Sequence, residues 1–437
     1  MSLSYNELSG PIPNAFQISN NFQELLLSNN KIEGELPTSL SNLRHLIHLD
    51  VSSNSLSGQI PDVFGGMTKL QELNLDSNNL EEQIPSSLFN LSQLVTLFCS
   101  HNKLEGPLPN KITGFQKLTD LGLNDNMLNG TIPPSLLSLP FLVELDLSNN
   151  RLTDHIGAIS SYSLEQLYLS NNRLQGNISK SIFNLPNLRG LDLSSNNLSG
   201  HVDFLLFSYL ANLSSLDLSS NNLSGHLDFQ LFSYLANLSS LDLSSNNLSG
   251  VVNFQNISKL QYLEYLYLSD NSKLSINFES SVNYNISRLL ELGLSSLSLT
   301  EFPNFSEKLP MLRYLDLSNN KISGSVPNWL HEVDYGSSPV FLNLSRNLFT
   351  SMKQFSWNHW PNLHRLDLSE NLLTGDISLS ICNASGLIFL SWAYNQLTGT
   401  IPQCLANLSF LEVLDVQMNK FMALCQVTFQ RKVHLRV

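Results

Sequence analysis

Cysteine and histidine are the first residues to consider for chemistry, because thiolates and imidazoles bind metals and carry out catalysis. The chain has four cysteines and ten histidines in 437 residues. The histidines lack the spacing of metal ligands, and there is no glycine-rich phosphate loop, kinase motif set, HExxH or GxSxG. We therefore expect a protein that is not an enzyme, with no catalytic residues, no metal site and no cofactors.

Aromatic side chains and one histidine occupy positions where equivalent segments of the chain have small polar residues. These residues are Phe98, His101, Tyr168, Tyr265, Tyr267, Phe389 and Tyr394. We predict that they lie exposed on strands and form the ligand-binding positions, because aromatic residues are enriched at interface hot spots. The alternative is the ordinary scatter of apolar residues over a protein surface.

Acidic residues recur at the same kind of position, and the formal net charge is -13. This acidity argues against a nucleic-acid partner, whose phosphates require a basic face. Asp192, Asp217 and Asp242 are predicted to form a row. The row is either a docking strip for a basic peptide or simply repeat consensus with aspartates in water, and we favour the second interpretation.

A repeat of about 24 residues positions all of these side chains. It follows the template LxxLxLxxNxLxGxIP, and only one of its registers, at Leu297, lacks the asparagine. The asparagines are Asn6, Asn30, Asn54, Asn78, Asn102, Asn126, Asn150, Asn172, Asn196, Asn221, Asn246, Asn271, Asn320, Asn347, Asn371, Asn395 and Asn419. Such a period indicates stacked coils, because one repeat cannot bury its apolar face alone.

Each template position has a physical role. Leu142, Leu145 and Leu147 are predicted to point inward from a short strand and its approach, whereas Asp146 and Ser148 point outward. The asparagines are predicted to bond backbone groups of the turn and of the next coil, since an unmet buried backbone group costs about 1–3 kcal/mol. A leucine cannot supply these bonds, so we expect a local distortion at register 297.

The repeat and several longer phrases resemble a known family. The SGxIP ending is typical of plant leucine-rich repeats, and the resemblance covers the chain from Leu3 to Phe421. LTEFPNF (299–305), YLDLSNNKISGSVPNWLHEV (314–333), SICNASGLIFL (380–390) and IPQCLANLSFLEVLDVQMNKF (401–421) are similar to plant leucine-rich-repeat receptor-like proteins. The expected fold is an α/β repeat, a right-handed solenoid curved as a horseshoe or superhelix. It has a parallel β-sheet on the concave face, with short helices or 3-10 turns and a plant-type second strand on the convex side.

One solenoid of about 18 registers is expected over residues 1–421, uncapped at both ends, followed by an aberrant tail over 422–437. Complete family members have a signal peptide, cysteine-paired caps and a membrane span, and we expect none of these in this chain. Residues 331–341 carry a small insertion that is predicted to form a loop. The chain is therefore expected to be a fragment or a truncated product.

The remaining cysteines and one tryptophan are assigned from their place in the coil. Cys99 and Trp392 fall on inward positions and are expected in the core. Cys382 and Cys404 lie on the convex side of adjacent coils, where they form either a disulfide, which we favour, or two unpaired thiols. Cys425 lies in the tail and receives no assignment.

Sequons for N-glycosylation are frequent, partly because the repeat contains the phrase NLS. They lie at Asn90, Asn129, Asn177, Asn197, Asn212, Asn222, Asn237, Asn247, Asn256, Asn285, Asn304, Asn343, Asn383 and Asn407. We expect many of them to carry glycans in the secretory pathway, which fits an extracellular parent protein.

The resemblance implies the ectodomain of a plant receptor-like protein at the extracellular face of the plasma membrane. It would bind a peptide, microbial protein or glycan on its concave face and signal, in immunity or development, through a partner receptor kinase. Three alternatives remain: an ectodomain piece of a receptor kinase, a secreted inhibitor of a cell-wall-degrading enzyme, and a non-functional truncated copy.

Overall fold

The computed structural model describes residues 1–257, 259–278, 288–303, 311–327, 340–352, 362–422 and 434–436. Contacts along the chain divide it into two units, Met1–Leu223 and Ser224–Val437. Each unit is a stack of coils, in which a short first strand precedes the repeat asparagine and a second strand follows it.

The first unit contains two parallel sheets, one made of first strands and one made of second strands. Its first strands are Glu24–Leu26, His48–Asp50, Glu72–Asn74, Thr96–Phe98, Asp120–Gly122, Glu144–Asp146, Gln166–Tyr168, Gly190–Asp192 and Ser215–Asp217. Its second strands are Ser9–Gly10, Lys31–Gly34, Ser55–Gln59, Asn79–Gln83, Lys103–Pro107, Met127–Gly130, Arg151–Asp154, Arg173–Gly176 and Asn197–His201. Neighbouring strands pair in register, so that Leu145 lies between Leu121 and Leu167.

The second unit contains one sheet of first strands, which are parallel and in chain order. These strands are Ser240–Asp242, Tyr265–Tyr267, Glu291–Gly293, Tyr314–Asp316, Val340–Asn343, Leu363–Asp367, Phe389–Ser391, Val413–Asp415 and His434–Arg436. The second strands are Asn222–His226, of which residues from Ser224 belong to this unit, then Asn247–Asn253, Lys273–Asn277, Ser323–Ser325, Leu348–Ser351, Thr374–Asp376 and Gln396–Thr398. They form shorter sheets than in the first unit.

Short helices connect second strands to the following first strands. Within the described residues, the 3-10 helices are Thr38–Asn42, Phe64–Gly66, Leu88–Asn90, Lys180–Asn184, Phe204–Tyr209, Leu231–Tyr234, Leu379–Asn383 and Gln403–Asn407, and the α-helix is Phe254–Ile257. The predicted repeat solenoid of parallel strands and 3-10 turns is therefore confirmed. None of the helices in the described ranges has the length and apolar character needed to cross a bilayer.

The repeat leucines form the core of each unit. Leu142, Leu145 and Leu147 are all 0% exposed, as predicted, and each contributes about 1.5–3 kcal/mol relative to an exposed side chain. Asp146 is half-buried, whereas Ser148 is buried. Ser148 lies on the side of Asp146, in agreement with the predicted outward direction, but it is buried because its hydroxyl group donates to the Asp146 carboxylate at 2.6 Å and is covered there.

The repeat asparagine ties each coil to its neighbour. The Nδ2 group of Asn150 donates to the carbonyls of Leu147 and Ser148 in its own turn, at 3.1 and 3.0 Å. It also donates to the Leu123 carbonyl at 3.0 Å, and its Oδ1 accepts from the Leu128 amide at 3.0 Å. Backbone bonding was predicted correctly, but the neighbour is the preceding coil and not the next, because the carboxamide points back along the stack.

The residue before the asparagine adopts a left-handed backbone conformation. The angle φ is 54° at Asn149, a residue type that tolerates this region. His101 and Tyr394 occupy the same position, with φ of 53° and 54°. The prediction that these two residues lie on strands is wrong, because their strands have already ended at Phe98 and Ser391.

Leu297 takes the place of the asparagine in one coil of the second unit, and it is buried. The Asn320 carboxamide of the following coil accepts from the amides of both Leu297 and Leu299, at 3.0 Å each. Among the described residues between Asn277 and Ser323 there is no second strand. The expected distortion at this register is thus a lost strand, while the neighbouring asparagine bonds the local backbone.

Part of the tail joins the fold. The strand His434–Arg436 pairs in parallel with Val413–Asp415, so residues of the segment that we expected to be aberrant extend the first-strand sheet. The residues between Met422 and His434, including Cys425, lie outside the described residues, as does most of the predicted loop at 331–341.

Candidate functional site

Most first strands hold the two side chains that flank the buried central leucine half-buried on one face. These are Glu144 and Asp146 in one strand of the first unit, and Tyr265 and Tyr267 in one strand of the second. Successive strands lie about 5 Å apart, so equivalent side chains line up into two rows. We call this surface the first-strand face of each unit.

Aspartates on the first-strand faces bond to serines of their own coil. The Asp192 carboxylate accepts from the Ser194 amide at 2.9 Å and from its hydroxyl group at 2.7 Å. Asp217 and Asp242 each accept from the serine amide two residues later, at 2.9 Å. These bonds secure the end of the strand and support the interpretation that the aspartates are repeat consensus. The docking strip for a basic peptide stays a prediction.

Carboxylates also crowd the first-strand face of the first unit. Burial, followed by the charges of Asp120 and Asp146, raises the pKa of Glu144. Burial raises the pKa of Asp76 to about 6, although the Ser100 amide donates to this carboxylate. Raised values mean that folding makes ionisation of these two carboxyl groups less favourable.

Phe98 and Tyr168 lie half-buried on the first-strand face of the first unit. A Cβ atom at Gly122 would be 2.8 Å from Phe98 Cδ1, so this glycine leaves room for the ring against the next strand. The Tyr168 hydroxyl group donates to Gln166 Oε1 at 2.8 Å. Three coils, or about 15 Å, separate Phe98 from Tyr168, so they do not form one cluster, and His101 lies in the turn after Phe98.

In the second unit, Tyr265 and Tyr267 are brought together with two residues from the next coils. The Tyr267 hydroxyl group donates to the Glu291 carboxylate. Arg313 donates to Glu291 Oε1 through Nε at 3.2 Å and Nη2 at 3.0 Å, and its Nη2 also donates to the Tyr265 hydroxyl group at 3.2 Å. Four side chains from three consecutive coils are therefore held together by hydrogen bonds.

Tyr314 extends this arrangement. Its ring centroid lies 6.2 Å from that of Tyr267, and burial raises the pKa of Tyr314 to about 12. Burial and the hydrogen bond to Glu291 also raise the pKa of Tyr267, so both phenols stay neutral. We call Tyr265, Tyr267, Glu291, Arg313 and Tyr314 the tyrosine patch.

Sequence reasoning found two members of the tyrosine patch and missed the other three. Tyr314 occupies the same strand position as Tyr265, two coils away, so the strand alignment contained a signal for it. Glu291 and Arg313 gave no such signal, because ordinary surface charges look the same in a sequence.

Phe389 and Tyr394 lie apart from the tyrosine patch. The Arg365 guanidinium group is 4.0 Å from the Phe389 ring centroid, a cation–π contact. Tyr394 is 50% exposed in the turn after the Phe389 strand. The aromatic residues that we predicted as binding positions are thus distributed along both units, and only Tyr265 and Tyr267 belong to a bonded cluster.

The structure joins Cys382 and Cys404 by a disulfide between adjacent 3-10 helices, with Cα atoms 5.8 Å apart. Cys99 is a free thiol, fully buried, and burial raises its pKa. Trp392 is also fully buried. Both inward positions therefore belong to the core.

Most of the sequon asparagines lie away from the first-strand faces. Those on second strands, helices or their flanks are Asn90, Asn129, Asn177, Asn197, Asn212, Asn222, Asn237, Asn247, Asn256, Asn383 and Asn407. Asn343 is on a first strand, where its Nδ2 donates to Asp316 at 3.3 Å. Asn285 and Asn304 lie outside the described residues. Glycans on the first group would leave the first-strand faces open.

Two family models match the chain. Leucine rich repeat matches residues 20–80, 140–198 and 162–223, and a second model of the same name matches residues 237–257, 311–333 and 362–384. Receptor-like protein 54 of Arabidopsis thaliana is 44% identical over 80 residues, which are 18% of this chain and 10% of that protein. Receptor like protein 22 of the same species is 46% identical over 59 residues, 14% of this chain and 7% of that protein. The aligned segments thus span a tenth or less of these relatives.

Solved structures of plant receptors are similar over nearly the whole chain. The plant peptide hormone receptor RGFR1 in complex with RGF2 has a TM-score of 0.77 and 27% identity, covering 98% of this chain and 76% of that one. The ectodomain of the Arabidopsis receptor kinase HAESA, in complex with an N-terminally extended IDA peptide hormone, has a TM-score of 0.75 and 29% identity over 96% of this chain and 74% of that one. HAESA in complex with IDA and the co-receptor SERK1 has a TM-score of 0.62 and 28% identity, covering 97% and 78%.

Proposed function

Because this chain is a leucine-rich-repeat protein similar to the plant receptor-like proteins, we propose that it is the ligand-recognition region of a cell-surface receptor. Its ligand is a peptide bound on the first-strand faces. The observation that carries the proposal is the tyrosine patch, where hydrogen bonds hold the half-buried side chains of Tyr265 and Tyr267 in fixed positions. Groups that are already ordered lose less entropy when a ligand binds.

Two further observations support this role. RGFR1 and HAESA, which are similar in structure, are described in complex with peptide hormones. The sequons and the Cys382–Cys404 disulfide fit a protein that passes through the secretory pathway. We therefore propose that the protein lies at the extracellular face of the plasma membrane.

The proposal includes a receptor kinase as signalling partner. HAESA is described with both its peptide hormone and the co-receptor SERK1, an arrangement in which a second receptor joins the ligand-bound ectodomain. For this chain, the partner would transmit the signal, in immunity or in development.

Replacing Tyr265 and Tyr267 together by alanine is expected to weaken peptide binding by about 10–100-fold, since buried aromatic anchors dominate interface energies. The purified chain is first screened against a library of synthetic secreted-type peptides, and the affinity of each hit is then measured by titration calorimetry for both proteins. The urea midpoint should change little, because both tyrosines lie outside the leucine core.

The matched control replaces Tyr209 and Tyr234 by alanine. These tyrosines are 68% and 64% exposed on 3-10 helices, away from the first-strand faces. The control variant should bind every hit as the original chain does. Equal losses in the two double variants, or no loss in either, would contradict binding at the tyrosine patch.

A further inference from the structure

Glu291 has a counter-ion within the tyrosine patch. Its carboxylate accepts from the Tyr267 hydroxyl group and from two nitrogens of Arg313. The side chain of Glu291 is only 22% exposed, and that of Arg313 is 39% exposed. The pair therefore presents little net charge to a ligand, because each charge is screened by the other at short range.

Gly293 is the second unusual feature of the strands that carry the tyrosine patch. A Cβ atom here would lie 2.6 Å from Tyr267 Cδ1 and 3.3 Å from Ser269 Oγ. The equivalent position in the next coil is Asp316. With a side chain at position 293, the Tyr267 ring would have to move away from the strand, and its hydroxyl group would lose Glu291. The glycine is thus what allows the ring to lie across the neighbouring coil.

The charged residues around the tyrosine patch restrict which ligand side chains it can bind. Asp316 lies on the same face in the coil of Arg313, so an acidic group meets repulsion there, whereas the more distant Asp367 is paired with Arg365 at 3.9 Å. A basic group placed on the patch is attracted by Asp316 but repelled by the Arg313 guanidinium, which donates to the Tyr265 hydroxyl group, so the patch gives it no net attraction. An uncharged aromatic ring faces neither problem, and it can stack on or pack edge-to-face against the rings of Tyr265 and Tyr267.

We infer that the tyrosine patch binds an uncharged aromatic side chain of the peptide ligand, and that Glu291 and Gly293 determine this specificity. This inference rests on the proposed function. Glu291 neutralises Arg313 and so prevents the patch from selecting an acidic residue. Gly293 is a positioning residue, which acts on the ligand through the pose of Tyr267.

The test uses three capped tripeptides, Ac-Gly-Phe-Gly-NH2, Ac-Gly-Lys-Gly-NH2 and Ac-Gly-Glu-Gly-NH2, titrated into the purified chain by ligand-observed NMR. The Phe tripeptide should bind about 10-fold more tightly than either charged one. Glu291→Gln should strengthen binding of the Glu tripeptide by about 10-fold, because the charge of Arg313 becomes available. Gly293→Ala should weaken binding of the Phe tripeptide by about 10-fold, because the Tyr267 ring is displaced.

Two matched controls keep the result specific. Glu370→Gln disrupts another arginine–glutamate pair of the second unit, with Arg346 at 3.0 Å, and should leave all three affinities unchanged. Gly66→Ala adds a Cβ atom where nothing lies within 4 Å, and should likewise change nothing.

Three outcomes would overturn the inference. The first is that a charged tripeptide binds as tightly as the Phe tripeptide. The others are that Glu291→Gln binds the Glu tripeptide no more tightly than the original chain does, and that no tripeptide shows saturable binding. None of these outcomes would contradict the proposed function. Peptide binding by the first-strand faces is tested separately, by the affinity of the library peptides for the variant that lacks Tyr265 and Tyr267.

Discussion

Replacing Asn150 by alanine lowers the free energy of unfolding of the first unit by about 3 kcal/mol, because the buried hydrogen bonds of the carboxamide are lost and the Leu128 amide loses its acceptor. The carboxamide bonds three carbonyls and the Leu128 amide. Alanine provides neither donor nor acceptor, and water cannot reach these groups easily, since Asn150 is 8% exposed. Urea unfolding followed by circular dichroism measures the change.

The control for this variant is Asn79→Ala. Asn79 is exposed on a second strand of the same unit, so its replacement should change the free energy of unfolding by less than about 0.5 kcal/mol. If Asn150→Ala lowered the free energy of unfolding as little as Asn79→Ala, the repeat asparagines would not hold the coils together. The leucine core alone would then have to do so.

Removing the Cys382–Cys404 disulfide lowers the free energy of unfolding of the second unit by about 3 kcal/mol, because the unfolded chain regains the entropy of a closed loop. The two cysteines are 22 residues apart in sequence. The double variant Cys382→Ser with Cys404→Ser should therefore have a lower urea midpoint in tryptophan fluorescence, a probe that includes the buried Trp392 of this unit.

A reducing agent distinguishes the effect of losing the disulfide from the effect of replacing the two cysteine side chains. The reductant should lower the urea midpoint of the original chain to that of the double serine variant, and it should leave the variant itself unchanged. Equal midpoints for the oxidised chain and the double variant would mean that the coils around residues 379–407 are held by packing without help from the disulfide.

Much of the fold followed from spacing alone. The period predicts stacked coils, and strand alternation then predicts which leucines are buried, as Leu142, Leu145 and Leu147 are. The same register placed Cys382 and Cys404 on adjacent coils. These predictions succeed because one physical requirement, burial of a shared apolar core, acts equally on every repeat.

Other features depend on details that a repeat template does not contain. His101 and Tyr394 lie in left-handed turns, since strands of three residues end before these positions. Ser148 is buried by a hydrogen bond to its own aspartate. Local backbone geometry overrides the template in the first case, and a side-chain hydrogen bond lowers the exposure of an outward residue in the second.

The tyrosine patch was only half predictable for a related reason. Deviation from consensus pointed to Tyr265 and Tyr267, whereas the lock through Glu291 and Arg313 requires contacts across three coils. It also requires a missing Cβ atom at Gly293. A glycine in a strand gives no sign of function until the neighbouring ring is seen to occupy the space that it leaves.

The most direct test of ligand recognition by the first-strand faces is photo-crosslinking. A library hit carrying a benzoylphenylalanine residue is irradiated with the protein, and the attachment sites are mapped by mass spectrometry. Recognition as proposed predicts attachment within the strands Tyr265–Tyr267, Glu291–Gly293 and Tyr314–Asp316. Attachment confined to second strands or 3-10 helices would contradict it.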